Sequence, residues 1–253
     1  MNSFTPWIGG KKLLRKEIHN NFPTGNTFDR YIEVFGGAGW LLFYRDKHAP
    51  FEVYNDINGE LVNLFRCVKA HPQEMVREID FNLISRERFC FHKNQKVDDL
   101  TDIQRAGRFL YLIKYSFCAN INTFGAKTCP LPSEKLLEQI AKRLERVIIE
   151  NNSYEKIIKQ YDRTNSLFYC DPPYYKRENF YNTNEIYFTQ NDHEKLRDSL
   201  TNIKGYFILS YNDDEYLRSL YEGFKIKEVT RGNNMTAQTG KQKKFKELII
   251  TNY

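Results

Sequence analysis

Tyr31-Ile32-Glu33-Val34-Phe35-Gly36-Gly37-Ala38-Gly39 reads as a short apolar strand running straight into a glycine turn. β-Branched and aromatic residues favour the extended chain. Glycines permit the sharp turn and close ligand approach typical of the carboxyl end of a first strand in an open α/β sheet. Residues 40–44 then take up a helical pattern. Outward from this turn, similar apolar runs occur at 51–54, 146–150, 167–170, 205–210, 224–229 and 247–251, each closed by a turn or helix signal. Helical patterns fall between them. Residues 11–20 carry Leu13, Leu14 and Ile18 on one face, and 57–70 carry Leu61, Leu64, Phe65 and Val68, while 192–202 and 214–221 separate the late strands.

Strands alternating with helices predict an α/β protein with a mostly parallel open sheet. A polar stretch, not a helix, separates Val229 from Glu247, so the last two strands are expected to form an antiparallel hairpin at a sheet edge. The alternation also fails over 71–145, which reads as helices at 72–79, 101–117 and 133–144 with a loop at 119–132. The expected organisation is therefore a catalytic domain of residues 1–70 and 146–253 with a helical subdomain, 71–145, inserted in it.

Composition narrows the function classes. A chain of 253 residues suits one α/β core with an insertion. No apolar run reaches the roughly 20 residues of a membrane span, and the start of the chain lacks a signal-peptide pattern. The five cysteines, Cys67, Cys90, Cys118, Cys129 and Cys170, show no C-x-x-C or Cys/His ligand spacing. They are expected to be reduced thiols of a cytoplasmic protein that holds no metal. A net charge of +6 permits a polyanionic partner. Within 71–145, Arg86, Arg88, His92, Lys93, Lys96, Arg105, Arg108 and Lys114 make either a solvated surface or a face for nucleic acid.

Two strand ends refine the picture. The dinucleotide fingerprint G-x-G-x-x-G is not met, because its third glycine falls on Leu42. That disfavours a pyrophosphate and leaves room for a smaller nucleoside cofactor. Asp56 follows Gly36 by 20 residues and ends the second strand. It suits either an N-cap of the next helix or an acceptor for ribose hydroxyls. The third feature is Asp171-Pro172-Pro173-Tyr174 at the end of the 167–170 strand. Two prolines lock the backbone and offer no N–H. A carboxylate, a fixed carbonyl and an aromatic ring are thereby held side by side.

With these residues the chain resembles the Dam-type (D12 class) DNA adenine-N6 methyltransferases, which use S-adenosylmethionine. The likeness runs in family order through Pro6-Trp7-Ile8-Gly9-Gly10-Lys11, the 35–39 turn, Asn55-Asp56-Ile57-Asn58, Phe109-Leu110-Tyr111, Asp171–Tyr174, Phe188-Thr189 with Asp192-His193, Ser210-Tyr211-Asn212 and the 247–253 end. The resemblance implies a Rossmann-like methyltransferase sheet and an inserted target-recognition subdomain. It places Trp7 and Lys11 at the cofactor's methionine end, Lys11 against its carboxylate, with Phe35, Gly36, Gly37 and Gly39 beside it and Asp56 on the ribose. The family's third strand ends in an acid and an aromatic ring. Here Ser153-Tyr154 keeps the ring, Tyr154, and not the acid.

The same resemblance makes Asp171, Pro172 and Tyr174 the pocket for the target adenine. N6 is a poor nucleophile because its lone pair is delocalised into the ring. Two acceptors, the Asp171 carboxylate and the Pro172 carbonyl, draw it toward a tetrahedral shape, and no cysteine nucleophile is needed. The base must leave the duplex, at a few kcal/mol, and Tyr174 offers a ring to stack on. The run 176–184 is expected to fold over the site. Asn120, Asn122 and Lys127 are expected DNA contacts, and Arg231, Lys241, Lys243 and Lys244 candidate phosphate contacts. Relatives often recognise GATC, which stands as the default target. The expected partner is double-stranded DNA, with the chain a monomer and any cognate restriction endonuclease acting separately. Cytosine-N4 methylation, with Ser more usual in place of Asp171, and a catalytically silent DNA-binding or antirestriction protein of the same fold are the alternatives.

Overall fold

A computed structural model of the chain describes every residue except 26, 81, 127, 177–187 and 233–243, with the backbone alone at 232 and 244. Among the described residues, one sheet holds β1 (Arg30–Glu33), β2 (Phe51–Asn55), β3 (Val147–Glu150), β4 (Ser166–Cys170), β5 (Tyr206–Asn212), β6 (Lys225–Gly232) and β7 (Lys244–Thr251) in the order β3-β2-β1-β4-β5-β7-β6. β4 runs parallel to β1 and to β5. β7 is antiparallel to both β5 and β6. The expected edge hairpin is therefore present, with β6 outermost. Its strands outrun their apolar stretches because the ladder also pairs polar positions such as Thr230 with Lys246. Cross-strand partners, not hydrophobicity alone, set strand length.

The chain divides into two compact units. The first comprises Met1–Gly10, Gly36–Asp46 and Val53–Asn152, so residues 71–145 fall wholly inside it. Its centre is α5 (Asp102–Tyr115), which buries Ala106, Phe109, Leu110, Tyr111, Leu112 and Ile113 and packs against α2 (Gly59–Ala70), α3 (Pro72–Asp80) and α4 (Arg86–Asn94). Thr101 and Gln104 close a capping box at its start. α6 (Glu134–Leu144) completes the group, and its Arg143 donates to the carbonyls of Arg45 and Leu42 at 2.9 and 3.0 Å. α4 was not expected: of its nine residues only Phe89 and His92 are buried, too few for a clear apolar stripe.

The second unit comprises Lys11–Phe35, Lys47–Glu52 and Ser153–Tyr253. β4 is buried at all five positions, as a central parallel strand should be. α7 (Tyr154–Tyr161), α8 (Gln190–Thr201) and α9 (Glu215–Leu220) alternate with its strands. α1 (Arg15–Asn20) is shorter than the 11–20 pattern, because Lys11 to Leu14 form turns in which the Lys11 carbonyl accepts from Leu14 and Arg15. Among the described residues no helix is long and apolar enough to cross a membrane.

Candidate active site

In the first unit the glycine turn is built around Asp56. Gly37 and Gly39 have φ of +49° and +67°, in the left-handed region that favours glycine. A Cβ on Gly36 would stand 2.2 Å from Tyr54 Cε2, and one on Gly37 2.7 Å from Trp7 Cδ1. Trp7 thus lies directly on the turn. Asp56 is 8% exposed. Its Oδ2 accepts from the Gly37 amide and its Oδ1 from the Asn58 amide, both at 2.8 Å. Tyr54 Oη donates to the Gly37 carbonyl at 2.6 Å. Burial raises the Asp56 carboxyl above its ordinary value, and the backbone amides of Asn58 and Gly37 pull it back. The N-cap of α2 is Asn58, whose Oδ1 accepts from Leu61. Asp56 is thereby released from capping. The backbone amides of Asn58, Gly37 and Ile57 all face the carboxylate, which keeps acceptor capacity for hydroxyls.

Two asparagines absent from the expectations tie the ends of β2 and β3 together. Asn55 Nδ2 donates to the Asn152 carbonyl at 3.0 Å and the Asn152 amide donates to Asn55 Oδ1 at 2.9 Å. Asn151 Nδ2 donates to the Asp56 carbonyl at 2.8 Å. An asparagine at each of two strand ends was the available signal.

In the second unit β4 delivers Asp171. Its Oδ2 accepts from Lys11 Nζ at 2.7 Å and its Oδ1 from Ser210 Oγ at 2.9 Å. The Asp171 side chain keeps 17% exposure, against 6% for Lys11. Burial raises the Asp171 carboxyl, and Lys11 and then Ser210 lower it part of the way. Lys11, expected at a cofactor carboxylate, here forms an ion pair with Asp171. The same Nζ stands 4.6 Å from the Tyr174 ring centroid. Tyr174 is 4% exposed. The open stacking face expected of it is therefore not present in this arrangement: the ring is buried, with Lys11 over it. Pro172 is buried beside it. Cys170 is buried too, and burial pushes its thiol up, which suits no nucleophile.

Tyr174 Oη donates to Glu247 Oε2 at 2.6 Å. Glu247 is buried, and its other oxygen is ion-paired with Arg231. Arg231, an expected phosphate contact, thus pairs with Glu247 through Nε and keeps 28% exposure. Ser210 and Glu247 lie in stretches that carry the resemblance, which gives neither of them a role. The signal for Glu247 was a lone acid heading the apolar run Leu248-Ile249-Ile250.

Tyr154 caps no strand but opens α7, with Ser153 as its N-cap. It stacks on Phe35 at 5.7 Å, and Phe188 stands edge-on to Phe35 at 6.0 Å. In the first unit Asn120 Oδ1 accepts from the amides of Asn122 and Thr123, at 3.0 and 3.1 Å, and Lys93 Nζ donates to the Asn122 carbonyl at 3.0 Å. Lys127, Lys241 and Lys243 lie outside the described residues, as does the 176–184 run beyond Lys176; Lys176 pairs with Asp214 at 2.9 Å.

A family model described as D12 class N6 adenine-specific DNA methyltransferase matches residues 7–235. Similar proteins include the Type II methyltransferase M1.LlaDCHI of Lactococcus lactis subsp. cremoris, 26% identical with 100% of this chain and 96% of the relative covered. The Type II methyltransferase M.MjaIII of Methanocaldococcus jannaschii is 28% identical over 99% of this chain and 98% of its own. A DNA adenine methylase of Haemophilus influenzae is 30% identical over 97% and 92%.

Proposed function

The chain belongs to the D12 class of N6 adenine-specific DNA methyltransferases, and from that premise we propose that it methylates N6 of an adenine swung out of duplex DNA, with S-adenosylmethionine as the donor and Asp171 and the Pro172 carbonyl as acceptors for the amino group. The observation that carries this reading is the Asp171 carboxylate at the end of β4. It is partly exposed and held by two side chains, Lys11 and Ser210, that can exchange for a substrate amine.

The donor supplies an activated methyl group on a sulfonium. The residues present fit it. Asp56 keeps acceptor capacity for ribose hydroxyls, and Gly36 and Gly37 let Tyr54 and Trp7 pack against the turn where a Cβ would collide with them. Trp7, Gly39, Phe35 and Tyr154 are assigned to the cofactor with them, and Lys11 to its carboxylate once an adenine amine replaces Lys11 on Asp171. Two acceptors, one per N–H, localise the N6 lone pair, so the protein's task is positioning and charge stabilisation. Stacking on Tyr174, about 1–3 kcal/mol per base, offsets part of the flipping cost once Lys11 has left the ring. Residues 71–145 choose the target, with Asn120, Asn122 and Lys127 at the DNA and Lys243 on phosphate. The chain acts as a monomer, in the cytoplasm where DNA and donor meet.

The test is product identity. Protein, tritiated S-adenosylmethionine and duplex DNA are incubated, the DNA is digested and the labelled nucleoside identified. N6-methyldeoxyadenosine is expected. Labelled N4-methylcytosine, or no label, would overturn the proposal.

A further inference from the structure

We propose that Glu247 is a positioning residue for methyl transfer: through the Tyr174 hydroxyl it pins the ring that receives the target base, and Arg231 holds Glu247 in place. The inference rests on the adenine chemistry proposed above and adds a residue to it.

Stability does not account for Glu247. It lies on β7 between Asn212 of β5 and Val229 of β6, at 1% exposure. A buried carboxylate is costly to desolvate. Even a well-paired one is often matched or bettered by an apolar side chain of similar size. The rest of that stretch, Leu248, Ile249 and Ile250, is buried and apolar. A charge at the head of it calls for a task that an apolar residue cannot perform.

The task is visible in what the two oxygens hold. Oε2 takes the Tyr174 hydroxyl at 2.6 Å, in the short range of charge-assisted hydrogen bonds. The other oxygen meets Arg231, which supplies the countercharge. Tyr174 is therefore gripped at its far end by Glu247 and covered on its face by Lys11, the same cation that occupies Asp171. When an adenine amine displaces Lys11, the ring loses its cover and keeps the grip at its hydroxyl.

The grip matters because there is room for the ring to move. A cleft of about 230 Å³ is lined by Tyr174 and Glu247 together with Asn212, Asp213, Arg231, Phe245 and Lys246. A ring freed from Glu247 has this space to swing into. A stacking platform that moves costs alignment of N6 with its acceptors, and small misplacements are expensive in rate.

The experiment is single-turnover methylation of duplex DNA at saturating cofactor by wild type, Tyr174→Phe, Glu247→Gln and the double variant, with cofactor affinity measured by calorimetry. Tyr174→Phe keeps the ring and removes the hydroxyl. Each single change is expected to slow transfer about tenfold, the kinetic equivalent of one lost charge-assisted hydrogen bond, with cofactor affinity unchanged. The double variant should be no slower than Tyr174→Phe alone. A wild-type rate in Glu247→Gln, multiplied losses in the double variant, or a parallel fall in cofactor affinity overturns the assignment. If Glu247→Gln does not fold, Tyr174→Phe decides, since it leaves β7 untouched: a wild-type rate there overturns the grip, and a tenfold loss with normal cofactor affinity supports it. Product identity is read in the same assay. N4-methylcytosine from wild type would sink the adenine reading alone, with the rate ratios still deciding Glu247; no product at all would sink both.

Discussion

Asp56 and Asp171 both follow a strand, β2 in one case and β4 in the other, and both are carboxylates whose burial raises them above the ordinary range. Their partners differ in kind. Asp56 is held by the backbone amides of Gly37 and Asn58, and those donors move only if the turn itself is remade. Asp171 is held by the side chains of Lys11 and Ser210, which leave by rotating about single bonds. An acid fixed by backbone is a receptor with constant geometry. An acid fixed by side chains is one that trades partners during a cycle. The first arrangement suits a cofactor that must be held alike in every turnover, the second a substrate group that arrives and leaves.

The sharpest way to break this comparison is Asp171→Ala. Methyl transfer is expected to fall by at least about 10²–10³-fold, the usual cost of losing one preorganised electrostatic group at a reacting centre, while cofactor affinity measured by calorimetry stays near wild type. Lost affinity with residual turnover near normal would exchange the two roles. Asp56→Ala is the converse and smaller change. Two hydrogen bonds to a charged acceptor are at stake, so cofactor affinity should weaken by about 10–100-fold, with the rate at saturating cofactor little altered. Unchanged affinity would remove Asp56 from the ribose.

These two acids were legible in the sequence because each ends an apolar run, and a run of four to six such residues bounded by turn signals is the clearest mark a buried strand leaves. Asp171 was doubly marked by Pro172 and Pro173. Their surroundings were less legible. α7 has a readable stripe, Tyr154, Ile157, Ile158 and Tyr161, yet the resemblance places Ser153-Tyr154 at the end of the third strand. Ser153 is in fact the N-cap of α7, its hydroxyl accepting from the Lys156 amide. The grip of Glu247 on Tyr174 spans 73 residues, and the Lys11–Asp171 pair spans 160. Separations of that size leave no periodic trace. They arise only when the folded sheet brings distant segments to one end, and the resemblance that places Lys11 at a cofactor carries no sign of the acid it meets.

The mildest change probes that pairing through pH. Asp171 must be ionised to accept an N6 proton. Burial favours its neutral form, and the charge of Lys11 is the largest influence opposing this. Lys11→Met removes the opposing charge, so the Asp171 carboxyl should move further upward. The fraction of enzyme with an ionised acceptor then falls at the acid end of the profile and is untouched where the group is ionised in both proteins. With cofactor saturating, the acid limb of log kcat/KM for DNA should therefore shift to higher pH while the plateau changes least, since Lys11 sits on Asp171 until the substrate amine displaces it. Because Lys11 is also assigned to the cofactor's carboxylate, the cofactor is kept saturating at every pH, so that weaker cofactor binding does not imitate the shift. An acid limb that stays in place would mean that Lys11 does not set the charge of Asp171 before the target base arrives. A limb that moves to lower pH would mean that Lys11 was holding the acid away from its substrate more than it was keeping it ionised.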